Sequence, residues 1–222
     1  MPNQGALAKW PGEGDSSSNT DVPRGAAVFI SSRKKFAPFY LYGTIATSLG
    51  IVAATNEERP FTIVFLLILF GLLSWGLGEY LLHRFVFHCG AHSICSGAHV
   101  YTLHLAHHDD PQSVDQLFIS LRMSAPTAIV YCLLAWGILG NWHSVAYLFI
   151  GLVAGYSTYE WLHYQAHHGK PNRRLFLYLK KYHLLHHGET PNLRFGVTSP
   201  LFDYLFGTFE PVNNQQAKSS NL

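Results

Sequence analysis

The sequence predicts an all-α integral membrane protein whose four transmembrane helices form two hairpins. Only 13% of its 222 residues are charged, whereas 48% are hydrophobic, which is unusual for a soluble domain. A helix needs about 17–25 mainly apolar residues to cross a bilayer. Four stretches of this length are paired by short polar turns, and they comprise residues 38–55, 61–78, 123–139 and 145–162.

The first pair of stretches contains no charged residue, and the turn that joins it runs from Asn56 to Pro60. The turn of the second pair covers residues 140–143. Two buried helical hairpins of a soluble protein are the alternative, but the chain has too few polar residues to cover so much uncharged helix. We therefore predict that these helices span a membrane.

Residues 37–212 are predicted to form this membrane domain, with a polar tail on each side. Residues 1–36 are rich in Gly, Ser, Asn and Pro and show neither a periodic apolar pattern nor a signal peptide, so we expect a flexible cytosolic tail. Residues 213–222 are predicted to be a short polar C-terminal tail.

The positive charges predict the orientation of the hairpins. Fourteen of the fifteen Lys and Arg residues lie outside the two outer turns, and Arg59 is the exception. Because cytoplasmic segments carry the excess of Lys and Arg, both tails and the segments after each hairpin should face the cytoplasm. We expect this multi-pass protein in the endoplasmic reticulum if the source is eukaryotic, and in the inner membrane if it is bacterial.

Histidines are concentrated in four boxes, each of which follows a predicted hairpin or the box before it. The boxes hold eleven of the fourteen histidines: His83 and His88; His104, His107 and His108; His163, His167 and His168; His183, His186 and His187. Residues i, i+3 and i+4 share one face of a helix, and neutral imidazole is a common metal ligand. About ten nitrogens exceed the four to six that one ion takes, so we predict two metal ions.

The first box has an unusual spacing. His83 and His88 are five residues apart, so a regular helix would splay them by about 140°. We predict a helix end or distortion there, or ligands that reach the metal pair from different sides. The topology places all four boxes at the cytoplasmic ends of the hairpins, and we expect the two HLxHH boxes to be two halves of one site.

Two acidic residues lie one helical turn before a box. Glu79 precedes His83 and Glu160 precedes His163, and metal-bound imidazoles usually donate their free N–H to a carboxylate or carbonyl. We expect Glu79 and Glu160 to support the ligands in this way, with Asp203 and the Asp109–Asp110 pair as further candidates. The alternative is that they are helix-end residues solvated among the lipid headgroups.

The absence of several motifs argues against other classes of function. The chain contains no HExxH, GxSxG, P-loop or GxGxxG motif. Its net charge of +2 is too small to indicate nucleic-acid binding, and no basic stripe is present. Its three cysteines show no CxxC spacing and predict neither a disulfide framework nor a zinc knuckle.

The four boxes, taken in order, resemble the fatty acid hydroxylase/sterol desaturase superfamily of membrane oxidoreductases. The segments 180–187, with the sequence KKYHLLHH, and 195–208, with the sequence FGVTSPLFDYLFGT, look like the end of fatty acid 2-hydroxylases. The resemblance implies four membrane helices and a cytosolic helical cap over a dimetal centre. The ligands it implies are His83, His88, His104, His107, His108, His163, His167, His183, His186 and His187. His168 also matches the motif, but we expect it to support the ligands rather than to bind a metal ion.

The activity implied by this resemblance is O₂-dependent hydroxylation of a fatty acyl chain, at C2 of a fatty acid or of a sphingolipid acyl chain. Two iron ions are expected, with zinc as the alternative in a purified or crystallised form, and O₂ is the co-substrate. Many eukaryotic 2-hydroxylases carry a fused cytochrome b5 domain with an HPGG motif, which is absent here. We therefore expect a separate electron donor, either cytochrome b5-like or a ferredoxin type with its reductase. The expected substrate is a membrane lipid.

Two alternatives remain open at this point. A sterol-type oxidase or desaturase would use the same histidine boxes on another lipid. A metal transporter or metal-storage membrane protein would also bind metal, but transporters place ionisable ligands inside the membrane segments. In this sequence the histidines follow the predicted helices instead.

The position of Glu160 predicts an effect on metal binding. Glu160→Gln should lower the metal content or the activity of the purified protein, because the amide accepts a hydrogen bond more weakly than a carboxylate. Metal analysis and turnover measurements test this, and wild-type occupancy together with wild-type turnover would refute the supporting role.

Overall fold

The computed structural model describes residues 36–56, 58–88 and 104–212. Over these ranges every regular element is a helix, which confirms the predicted all-α class. The predicted tails, up to residue 35 and from residue 213, lie outside the described residues.

Four long helices correspond to the four predicted apolar stretches, each within a few residues. They are α1 (Ala37–Asn56), α2 (Phe61–Leu82), α5 (Leu121–Leu139) and α6 (Trp142–His168). The described part also contains the π-helix His83–Phe87, which continues α2, and four shorter α-helices: α3 (Ala106–Asp109), α4 (Val114–Leu117), α7 (Arg174–His187) and α8 (Leu201–Leu205). The short helices lie between and after the two long pairs, where the histidine boxes are.

Three helical segments are long and apolar enough to cross a membrane. They are Ala37–Asn56, Phe61–Phe87 and Val114–Leu139. Large apolar side chains on these segments stay exposed, among them Phe70 at 64% and Ile138 at 81%, as expected for surfaces that face lipid. The protein is therefore a membrane protein with three such segments in the part described.

The helix α6 is not among these three segments, and its surroundings explain why. It packs against α1, α2, α5 and α7, so most of its surface faces protein rather than lipid. Buried positions on α6 accordingly hold polar and aromatic side chains such as Ser144, Tyr156 and Glu160, which lower its hydropathy. A fourth membrane crossing by α6 remains a prediction.

The helices α2 and α6 make the most extensive contact among the described helices, and facing glycines lie within it. A Cβ atom at Gly71 would lie 2.0 Å from the Leu148 carbonyl oxygen, and one at Gly151 would lie 2.0 Å from the Ile68 carbonyl oxygen. Small residues allow membrane helices to approach until their backbones touch. This contact fixes α2 against α6 below the histidine boxes that follow both helices.

The glycine contact predicts that Gly151→Ala separates α2 from α6 and lowers the free energy of unfolding by about 1–3 kcal/mol, the usual cost of overpacking. Thermal melting of the protein in detergent measures the effect. Gly137→Ala on α5 is the matched control, since its Cβ would meet nothing within 4 Å. Equal melting temperatures for the two variants would contradict the proposed role of the contact.

Candidate metal centre

The first histidine box lies on a distorted helical turn. Residues His83–Phe87 continue α2 as a π-helix, in which the His88 amide donates to the His83 carbonyl oxygen over 3.1 Å. This i→i+5 hydrogen bond widens the turn, so a side chain five residues further on returns towards the same side. The two rings are 5.0 Å apart between centroids. The predicted helix distortion between these histidines is confirmed.

Ten imidazoles form two clusters of five, which we name cluster A and cluster B. Within each cluster, one ring nitrogen from every histidine lies within 4.8 Å of the others. Cluster A contains His83, His88, His104, His108 and His186. Cluster B contains His107, His163, His167, His183 and His187. The structure thus brings together all ten histidines that the sequence resemblance implies as ligands.

The distances between nitrogens fit one metal ion in each cluster. In cluster B the Nε2 atom of His107 lies 2.9 Å from that of His163 and 3.1 Å from that of His167. In cluster A the Nε2 atoms of His88 and His186 are 3.1 Å apart. Two nitrogens bound at right angles to one ion, each at about 2.0–2.1 Å, would be about 3.0 Å apart.

Hydrogen bonding alone does not account for these clusters. A neutral imidazole has one N–H donor and one acceptor nitrogen, so a pair can share one proton at most. Nε2 of His107 has two such neighbours, and Nε2 of His167 is also 2.9 Å from Nε2 of His183. Several lone pairs directed at one point are instead the donor set of a cation.

Each HLxHH box supplies ligands to both clusters. His104 and His108 enter cluster A whereas His107 enters cluster B, and the later box contributes His186 to cluster A. The remaining two members of that box, His183 and His187, enter cluster B. The rings of His108 and His187 stack with centroids 4.0 Å apart, so the two clusters are in direct contact. The arrangement is one centre with two positions.

Burial keeps the cluster imidazoles neutral. Loss of solvation lowers the pKa of His88 and of His107 to about 4. Desolvation, followed by repulsion from neighbouring imidazoles, lowers the pKa of His108 to about 2. At neutral pH these rings therefore present a lone pair, which is the form of imidazole that binds metals.

The carboxylates expected to support the ligands make other contacts. Glu79 accepts hydrogen bonds from the backbone N–H groups of Val197 and Thr198, at 2.5 and 2.9 Å. Glu160 accepts one from the backbone N–H of Ile119 at 2.9 Å. None of these three hydrogen bonds goes to an imidazole, so any support that these acids give must act through the segments they hold.

The remaining candidates are placed differently. Asp203 is fully buried and accepts hydrogen bonds from the backbone N–H groups of Phe195 and Gly196, both at 2.8 Å. Asp109 and Asp110 are exposed at the end of α3. His168 lies outside both clusters, with its ring 5.0 Å from that of Tyr164.

Two backbone carbonyls accept hydrogen bonds from the imidazoles, whereas only carboxylates had been predicted by residue number in this role. Nδ1–H of His83 donates to the Phe195 carbonyl oxygen at 2.6 Å, and Nδ1–H of His186 donates to the Leu193 carbonyl oxygen at 2.7 Å. Since a carbonyl can only accept, the proton is on Nδ1 and the Nε2 lone pair faces the cluster. A carbonyl belongs to every residue type, so no sequence signal could have identified these two.

Comparison with known proteins agrees with this geometry. A family model described as fatty acid hydroxylase matches residues 68–208, the part of the chain that contains both clusters. The chain belongs to the fatty acid hydroxylase family. The resemblance inferred from the histidine boxes is thereby confirmed.

Several members of the family are similar over most of this chain. Dihydroceramide fatty acyl 2-hydroxylase FAH2 of Arabidopsis thaliana is 37% identical over 171 residues, which cover 75% of this chain and 70% of the relative. Fatty acid 2-hydroxylase of Rattus norvegicus is 34% identical over 152 residues, which cover 65% of this chain and 40% of the relative. These similarities support fatty acyl hydroxylation as the activity of the chain.

A solved structure shares the fold. It is titled full-length scs7p, with only the hydroxylase domain visible, and it matches with a TM-score of 0.71 and 29% identity. The match covers 81% of this chain and 69% of that chain. The chain spans about two thirds of the length of its plant relatives and of this structure, and 40% of the rat enzyme.

The distribution of each box's histidines between cluster A and cluster B predicts which of the two ions each histidine binds. His186→Ala should remove about one of two bound ions, from cluster A, because a site that lacks a ligand binds its ion more weakly. His183→Ala should remove the other ion, from cluster B. Metal analysis of the purified chain measures both losses.

His143→Ala is the matched control, because His143 lies at the start of α6, outside both clusters. Its metal content should equal that of the wild type. Wild-type stoichiometry in the His186 and His183 variants as well would refute the ligand assignment.

Proposed function

We propose that this chain is an O₂-dependent membrane hydroxylase that inserts a hydroxyl group at C2 of a fatty acyl chain, either a free fatty acid or the acyl chain of a sphingolipid. The observation that carries the proposal is the pair of five-histidine clusters within a domain similar to fatty acyl 2-hydroxylases. An acyl C–H bond is too strong and too apolar for acid–base groups to break, so a redox-active metal is required.

The two ions would be held by cluster A and cluster B, with the ten imidazoles as ligands. Iron is the ion we propose for the working enzyme, because it supplies the O₂ chemistry that hydroxylation needs. Imidazole also suits zinc, which could replace iron in a purified form. The chain itself contributes the orientation of the imidazoles, the buried surroundings that keep them neutral, and the exclusion of water from the reacting atoms.

A lipid substrate fits the position of the centre. Cluster A receives His83 and His88 from the end of α2, whose surface carries exposed apolar side chains such as Phe65 and Phe70. An acyl chain could therefore approach the centre from the bilayer. We propose four membrane crossings, with α6 as the fourth, and a cytoplasmic centre. The membrane would be the endoplasmic reticulum in a eukaryote or the inner membrane in a bacterium.

The reaction requires a reductant. Insertion of one oxygen atom of O₂ into a C–H bond sends the other atom to water, which consumes two electrons and two protons. We propose that a separate protein delivers the electrons, either a cytochrome b5-like protein or a ferredoxin with its reductase. We propose that the donor contacts the exposed basic residues Lys170, Arg173 and Arg174, which follow α6 and begin α7, and that this face is cytoplasmic.

Lipid analysis tests the proposal. Cells that lack 2-hydroxylated lipids should accumulate 2-hydroxyacyl sphingolipids or 2-hydroxy fatty acids when they express the wild-type chain. The His186→Ala variant should leave this pool at background, because cluster A loses a ligand, and His143→Ala should match the wild type. Mass spectrometry of total lipids gives the position of the hydroxyl group.

Other outcomes would point to the alternatives. An unchanged hydroxylated pool in all strains would refute the proposed activity. New double bonds or an altered sterol would instead indicate a desaturase or a sterol oxidase. Metal uptake without O₂ consumption in the presence of a reductant would indicate a metal-binding or transport protein.

A further inference from the structure

We propose that residues 193–199, here called the orienting loop, set the direction of two imidazoles of cluster A, those of His83 and His186, and of none in cluster B. In this proposal Glu79 and Asp203 are positioning residues that hold the loop. The inference rests on the proposed function to the extent that both clusters are taken to bind a metal ion. It assigns to the C-terminal segment a specific task at one of the two positions.

The loop contacts cluster A through its carbonyl groups. The Phe195 carbonyl oxygen accepts from Nδ1–H of His83 at 2.6 Å, and the Leu193 carbonyl oxygen accepts from Nδ1–H of His186 at 2.7 Å. Both histidines belong to cluster A, although they come from α2 and α7. Each bond fixes the ring rotation and the tautomer at once, so Nε2 is directed into the cluster before an ion arrives.

Two buried carboxylates hold the other side of the loop. Four consecutive backbone N–H groups, of residues 195–198, all donate to carboxylate oxygens. Asp203 accepts hydrogen bonds from the N–H groups of Phe195 and Gly196 with separate oxygens, each at 2.8 Å. Glu79 takes those of Val197 and Thr198 with a single oxygen, at 2.5 and 2.9 Å. Charge-assisted hydrogen bonds of this kind are the strong ones, so they set the backbone path that aims the carbonyls.

Glu79 and His83 lie on one continuous helical segment, and both form hydrogen bonds to the orienting loop. They are one turn apart on α2, and Glu79 accepts from the loop while His83 donates to it. The hydroxyl of Thr198 adds a third hydrogen bond to Glu79, at 2.6 Å. The contact between α2 and the loop therefore includes both the supporting carboxylate and the ligand. A change at Glu79 would reach the ion through the loop backbone.

The loop has little freedom to move. Arg194 is fully buried with a φ of 61°, in the left-handed region, and its guanidinium pairs with Glu210 at 3.0 Å. Its backbone N–H donates to the Thr208 carbonyl oxygen at 3.0 Å. A Cβ at Gly196 would lie 2.1 Å from the Ser199 carbonyl oxygen, so the backbone there has no room for a side chain. The loop is thus a rigid support.

The test uses zinc release from the full-length chain, because it needs no turnover. The purified protein in detergent is loaded with two equivalents of Zn²⁺, and release to excess chelator is followed with a metal indicator. The His186→Ala and His183→Ala variants identify the release phase of each cluster. Asp203→Asn is the main variant, since its amide N–H₂ would replace one of the two oxygens that accept from Phe195 and Gly196 and would oppose that backbone N–H.

We expect Asp203→Asn to accelerate release from cluster A by about 10–100-fold, the usual effect of losing support behind a ligand. Release from cluster B should stay within about twofold, which is far below that effect. Thr198→Val keeps the size of the side chain but removes its bond to Glu79, and it should accelerate the same phase by less. Ser199→Ala is the matched control, because the exposed Ser199 hydroxyl touches neither carboxylate and only accepts from the Leu201 N–H.

Equal acceleration of both ions, or of neither, would overturn the role of the loop, and so would a wild type with one indistinguishable release phase. If Asp203→Asn does not fold, Thr198→Val against Ser199→Ala decides the matter. If the variants show the selective effect but the wild-type chain forms no hydroxylated lipid, the proposed function is refuted and the loop assignment stands. Zinc is redox-inactive, so the two failures remain distinct.

Discussion

The fold depends on the convergence of ten imidazole nitrogens on two buried points. Neighbouring Nε2 atoms are 2.9–3.1 Å apart. Several lone pairs at this separation repel one another unless a positive charge lies between them. Such a donor set is assembled from α2, α3, α6 and α7, so every helix near the centre must hold a fixed position. Binding of an ion to a site of this kind contributes to the stability of the fold, because the unfolded chain has no such site.

The remaining architecture serves that requirement. Contact between Gly71 and Gly151 brings α2 and α6 to backbone distance, and these helices then continue into the first and third boxes. Because α6 is surrounded by other helices, it can carry Glu160, His163 and His167 on buried positions without exposing them to lipid. Outward surfaces of α1, α2 and α5 are apolar instead, and they match a bilayer rather than water.

Local patterns in the sequence were sufficient for much of this structure. Hydrophobic length predicted the four long helices, and the five-residue spacing of His83 and His88 predicted the distorted turn. The hydropathy of α6 is lower than that of the other three, because burial by protein relaxes the demand for apolar side chains. Length alone therefore does not distinguish α6 from the three segments that are apolar enough to cross a membrane.

Local sequence patterns did not predict the tertiary contacts. The position of Glu79 one turn before His83 suggested a direct bond to an imidazole, yet its partners are two backbone N–H groups and the Thr198 hydroxyl, more than one hundred residues later in the chain. The carbonyls that do contact the ligands have no residue-specific signature. The division of each HLxHH box between two clusters likewise depends on how α3 and α7 face each other, which spacing within a box does not specify.

The π turn in the first box has a consequence for the symmetry of the centre. Its wider turn gives the His83–His88 pair a ring separation of 5.0 Å, almost identical to the 5.1 Å of the i, i+4 pair His163–His167. Each cluster then has the same composition: a pair from one long helix, the outer two histidines of the HLxHH box that follows it, and the middle histidine of the other such box. The two ligand sets are therefore equivalent in composition, and a one-residue difference in the spacing of the paired histidines makes this equivalence less apparent in the sequence.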